Sequence, residues 1–163
     1  MKTSKMTKVL IALDFDPTAQ KVAEAGFSLA KTMGAEITLL HVIVDPVFYS
    51  SYENFPLLGF FGRTTTTPLH WNNSEELYLT SQHFLDKMKH HLGDEAIQTV
   101  IKEGNHADAI LKTAKQMNVD IIVLGSHSHK WLDNILLIGS VTEEVLRKAT
   151  IPVCIVPTQK YKK

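Results

Sequence analysis

An apolar run at residues 121–124 stops at Gly125, passes through Ser126, His127, Ser128, His129 and Lys130, and leads on to Gly139-Ser140 at the head of a helical stretch. Glycine admits close backbone approach, serine hydroxyls donate to phosphate or ribose oxygens, and the free amides of a helix start attract anions. The pattern points to a nucleotide or phosphate site. Asp14 closes a second apolar run, residues 9–13, and brings a carboxylate to the end of that strand. There it either meets a ribose or a cation, or serves as a cap or turn former for the helix that starts near Thr18. Ser140 is a natural helix cap as well, and a capping hydroxyl can share its helix end with a phosphate.

Other chemistries fit less well. The chain has neither Gly-x-x-x-x-Gly-Lys-Ser/Thr nor Gly-x-Gly-x-x-Gly after its first strand, so the two best-known phosphate loops are excluded. His127, His129 and His41 can be grouped as metal ligands, yet no carboxylate or cysteine joins them at zinc-like spacing, and no metal is assigned. No nucleophile elbow is present, and Cys154 lies in an apolar strand where a thiol is an inert small hydrophobe. Covalent catalysis is not expected.

The elements that must position these residues alternate in type. Strands are expected at residues 9–13, 37–44, 97–102, 121–124 and 152–156, the second rich in β-branched residues and stopped by Pro46. Helical spacing links Val22, Gly26, Leu29 and Met33, then Leu77, Phe84, Leu85, Met88 and Leu92, then Ala107, Ile110, Leu111, Ala114 and Met117. A last stripe takes in Val141, Val145, Leu146 and Ala149. Capping boxes are read at Asn73 with Glu76 and at Ser140 with Glu143. Strands alternating with helices make a doubly wound parallel sheet with helices on both faces, whose ligands sit beyond the carboxyl ends of the strands. Residues 46–72 have no sustained period and many aromatics; they form either a surface excursion or a lid or partner surface.

A chain of 163 residues, 44% apolar and 21% charged, suits one domain over residues 1–163. Seventeen basic side chains balance seventeen acidic ones, so no net field draws the chain to nucleic acid or an anionic membrane. One cysteine excludes an internal disulfide, and the sequence after MKTSKMTKV lacks the apolar core of a signal peptide. No apolar run approaches the ~20 residues of a membrane span, and a cytoplasmic location is expected.

Four segments together resemble the universal stress protein family of single-domain, UspA-like type: VLIALDFD, GAEITLLHVIVD, EGNHADAILKTAKQMNVDIIVLGSHSH and GSVTEEVLRKATIPVCIVP. The resemblance covers nearly the whole length. It implies a five-stranded parallel sheet in the order 3-2-1-4-5 and an ATP site built on Gly-x2-Gly-x9-Gly-(Ser/Thr), with magnesium accompanying the nucleotide. By resemblance, Asp14 meets the ribose, Ala12 and Val42 border the adenine, and Gly125, His127, Ser128, Gly139, Ser140, Val141 and Thr142 surround ribose and phosphates. Ser128 replaces the motif's second glycine, the spacer 129–138 is one residue longer, and Asp16 stands where a small hydroxyl residue is frequent. A left-handed backbone at Ser128 would cost roughly 1–2 kcal/mol, which weakens a micromolar complex worth ~8 kcal/mol without abolishing it. The resemblance also implies a homodimer paired through the last strand at Val153 and Ile155, an edge that the terminal helix or tail would otherwise cover. Three functions follow: an adenine-nucleotide-binding stress sensor or accessory module, a slow ATPase on the same site, and a nucleotide-free interaction protein.

Overall fold

The computed structural model describes residues 5–43, 74–126 and 141–158. In chain order these form β1 (Lys8–Leu13), α1 (Ala19–Thr32), β2 (Glu36–Ile43), α2 (Ser74–Leu92), β3 (Gln98–Glu103), α3 (His106–Gln116), β4 (Ile121–Gly125), α4 (Val141–Lys148) and β5 (Val153–Val156). The five strands pair in parallel, in the order β3-β2-β1-β4-β5. This is the expected α/β sheet.

Alternation along β1 explains why helices cover both faces. Val9, Ile11 and Leu13 enter one core cluster with Val22 and Ala23 of α1 and Phe84, Leu85 and Met88 of α2. Leu10 points the other way, into a second cluster with Ile110 and Ala114 of α3 and Val145 of α4. A strand buried on both sides must be apolar throughout, as residues 9–13 are.

From β1 the chain winds outward through β2 to β3, then returns to β4 on the other side of β1 and continues to β5. The winding therefore reverses between β1 and β4. Every crossover also delivers the start of its helix to the carboxyl end of the sheet, so α1, α3 and α4 all begin near that reversal.

Strand limits differ slightly from expectation. β2 takes in Glu36 because its amide donates to the Thr7 carbonyl at 2.8 Å, and β3 runs one residue later than the alternation suggested. Leu146 departs from its expected place: it is 51% exposed, while Val145 is fully buried. One residue on a helix turns about 100° around the axis, so an eight-residue α4 that buries Val145 against α3 must turn Leu146 outward. Asn73, Gly139, Ser140, His127, Ser128, His129 and the loop at 46–72 lie outside the described residues.

Candidate functional site

An open cleft lies at the carboxyl end of the sheet, its empty space about 580 Å³ when counted out to the solvent at its mouth. Ala12, Leu13 and Asp14 of β1 and its end, Leu40 and Val42 of β2, and Leu124 and Gly125 of β4 supply its floor. The walls come from Asp16, Thr18, Ala19 and Val22 at the start of α1, His106 and Ile110 of α3, and Val141 and Thr142 of α4. Among the expected residues, Ala12, Asp14, Val42, Gly125, Val141 and Thr142 are thus brought to one cleft. His127, Ser128, Gly139 and Ser140 lie outside the described residues.

The cleft has two chemical halves. Ala12, Leu40, Val42, Ile110 and Leu124 make an apolar slot between the sheet and α3. Asp14, Asp16, Thr18 and Thr142 make a polar end, where the first residues of α1 and α4 present helix amides and the positive ends of their dipoles.

Local hydrogen bonds fix the polar end. The Asp14 carboxylate accepts from the Phe15 amide at 2.8 Å, and the Asp14 carbonyl accepts from the Asp16 amide at 2.8 Å. Asp16, not Asp14, forms the turn into α1: its carboxylate accepts from the Thr18 amide at 2.7 Å and the Thr18 hydroxyl at 2.6 Å. An aspartate at Asp16 is therefore accounted for by the turn it builds. The sequence reading had not found that role, although Asp-x-Thr before a helix carries its signal.

Gly125 is required for packing. A Cβ there would lie 2.9 Å from Val22 Cγ2 and 3.2 Å from Thr158 Cγ2, so α1 and the end of β5 close onto β4 only over a glycine. Its carbonyl accepts from the Thr142 hydroxyl at 2.9 Å, which ties α4 to β4. Ser126 donates its amide to the Val156 carbonyl at 2.9 Å, and its hydroxyl accepts from the Thr158 amide at 3.0 Å. Ser126 thus ties the end of β4 to the end of β5.

His41 is not at the cleft surface. Its ring is fully buried, with its centroid 4.1 Å from that of Phe15 and 5.7 Å from that of Phe84. Nδ1 donates to the Leu13 carbonyl at 2.9 Å, and no group reaches Nε2 among the described residues. Burial pushes its pKa below the ordinary histidine value, outweighing the attraction of Asp14, which keeps the ring neutral. His41, one of three histidines weighed as a metal group and not assigned as one, therefore lies in the core. A strand inside the sheet turns alternate residues into the core, and His41 follows Leu39 and precedes Ile43 on the α1–α2 face.

His106 and Ile110 were absent from the sequence-based site. Their signal was Asn105 directly before an apolar helical stripe, which starts α3 at His106 and so sets that residue at the strand ends.

The sequence model of the universal stress protein family matches residues 5–157. Universal stress protein MJ0577 of Methanocaldococcus jannaschii is 33% identical over 153 residues, spanning 91% of this chain and 93% of its own. The solved structure of hypothetical protein MJ0577 superposes with a TM-score of 0.68 at 28% identity, covering 96% of this chain and 99% of the other. Two more distant structures share the fold. One is a universal stress protein in complex with cAMP, with a TM-score of 0.63 at 19% identity over 96% of this chain and all of the other. The second is the universal stress protein from Archaeoglobus fulgidus in complex with dAMP, with a TM-score of 0.56 at 18% identity over 91% of this chain and 96% of the other. A family match over residues 5–157, carried on a sheet of the order β3-β2-β1-β4-β5, places this chain in the universal stress protein family.

Proposed function

We propose that the chain is an adenine-nucleotide-binding stress protein, a cytoplasmic sensor or accessory module that takes ATP in the cleft between β1 and β4. One observation carries the reading: an apolar slot lined by Ala12, Leu40, Val42, Ile110 and Leu124 abuts a polar end lined by the starts of α1 and α4. The base lies against Ala12 and Val42, Asp14 accepts from the ribose hydroxyls, and Gly125, Val141 and Thr142 flank the phosphates. His127, Ser128, Gly139 and Ser140 complete the phosphate end in this reading. Complexes of two fold relatives with cAMP and dAMP support adenine as the base. Magnesium would enter with the nucleotide, held by Asp14 or Asp16 together with phosphate oxygens, and would neutralise charge between them.

The chain acts as one domain over residues 1–163 and as a homodimer. β5 is an edge of the sheet, and its outer backbone groups at Val153 and Ile155 are suited to antiparallel pairing with a second copy. Sedimentation equilibrium should then give the mass of two chains.

Calorimetric titration with ATP tests the ligand. Binding in the micromolar range is expected, and Asp14→Ala should weaken it at least tenfold, since hydrogen bonds to a charged group contribute about 1.5–3 kcal/mol. Absence of heat from the wild type at high micromolar ATP would reject the proposal. The second reading, a nucleotide-free interaction protein, is favoured by Asp14 and Asp16 together, because two carboxylates at the polar end repel phosphates when no cation stands between them. Titration with and without magnesium separates the two.

A further inference from the structure

We infer that His106 reads the base: its imidazole hydrogen-bonds the edge of the purine and sets the preference for an adenine-bearing ligand over a bare sugar phosphate. The inference rests on the nucleotide reading above and assigns a residue to it. His106 and Ile110 lie one helical turn apart on α3 and share the wall that faces Leu40 and Val42 across the slot. The rest of that slot, formed by Ala12, Leu40, Val42, Ile110 and Leu124, offers only aliphatic side chains. A purine carries ring nitrogens that accept and an exocyclic group that donates or accepts. Leaving such a group dry and unmet costs about 1–3 kcal/mol. Among the described slot residues, His106 is the side chain that can meet it, since an imidazole offers one donor and one acceptor in either neutral tautomer.

Backbone geometry holds His106 in place before any ligand arrives. Gly104, at φ 118°, donates its amide to the Ile43 carbonyl at 3.0 Å, which pins the end of β3 beside the end of β2. The Asn105 side chain then accepts from the Asp108 amide at 3.0 Å and its carbonyl from the Ala109 amide at 2.9 Å, so α3 starts at His106 in one orientation. The backbone that carries His106 therefore needs no reordering on binding, which leaves only its side-chain torsions to be fixed.

Ligand dissection tests the inference. ATP, adenosine and ribose 5-phosphate are titrated into the wild type, His106→Ala and His106→Asn, with thermal melts to show that each variant folds. His106→Ala should weaken ATP and adenosine about tenfold and leave ribose 5-phosphate unchanged, and His106→Asn should restore most of the loss. In the wild type, the His106 imidazole resonances should shift with adenosine and stay still with ribose 5-phosphate. Equal losses for all three ligands, or unchanged adenosine affinity in His106→Ala, would overturn the role of His106 while leaving the nucleotide site standing. Failure of the wild type to bind either ATP or adenosine would remove both.

Discussion

Substituting Gly125 by alanine should destabilise the protein through packing alone. The new methyl would sit 2.9 Å from Val22 Cγ2, where ordinary contact begins at 3.4 Å, and 3.2 Å from Thr158 Cγ2. Val22 has little freedom to swing away, because a β-branched side chain in a helix has one strongly preferred rotamer and Val22 is buried in the core cluster. Helix α1 must then shift against β4. Overpacking of this kind costs typically 1–3 kcal/mol, and for a chain of this size each kcal/mol lowers Tm by about 2–4 °C. Calorimetric melts of Gly125→Ala, Val22→Ala and the double variant isolate the clash. Val22→Ala alone leaves a cavity, but in the double variant the new methyl gains room, so the two losses should add to less than their sum by about 1 kcal/mol or more. A Gly125→Ala protein as stable as the wild type, or strictly additive losses, would refute the packing argument.

Three further outcomes are expected. His41 is neutral in the fold, with its pKa depressed by burial, so the unfolded chain binds the extra proton. Stability is therefore full above the ordinary value of 6.5 and falls as pH drops below it, with a limiting slope of about 1.4 kcal/mol per pH unit. Urea unfolding between pH 7.5 and 5.5 should show His41→Phe less sensitive to acid than the wild type; equal sensitivity would mean that the ring does not titrate with unfolding. Asn105→Ala removes the cap of α3 and should cost about 1 kcal/mol, read as a lower urea midpoint at unchanged slope. Thr142→Val severs the link from α4 to the Gly125 carbonyl and should cost about 1 kcal/mol of stability, with a melt identical to wild type counting against it.

Most of the scaffold was legible because β1 and β4 are apolar runs of the kind that burial on two faces imposes, the edge strand β3 alternates apolar and polar residues, and each helix carries a periodic stripe. Leu146 was misplaced because periodicity gives a stripe and not its width, and α4 is short enough to bury Val145 alone. Asp14 and Gly125 were found at the cleft by their position after apolar runs. The reason for glycine at 125 was hidden, since only coordinates bring Val22, more than a hundred residues earlier, against it. His41 shows the reverse limit: spacing alone does not say where a histidine near a strand end points, and the pleat turns this one against Phe15 and Phe84. His106 was overlooked because a single histidine after an asparagine cap has no pattern of its own, and its place depends on how β3 lies beside β2.

A crystal structure of the chain grown with ATP and magnesium tests the central claim most directly. The account predicts electron density for a base wedged between Val42 and Ile110 with its ribose at Asp14 and its phosphates beside Gly125 and Thr142. A nucleotide seated elsewhere, or a cleft that stays empty at saturating ATP, would contradict it.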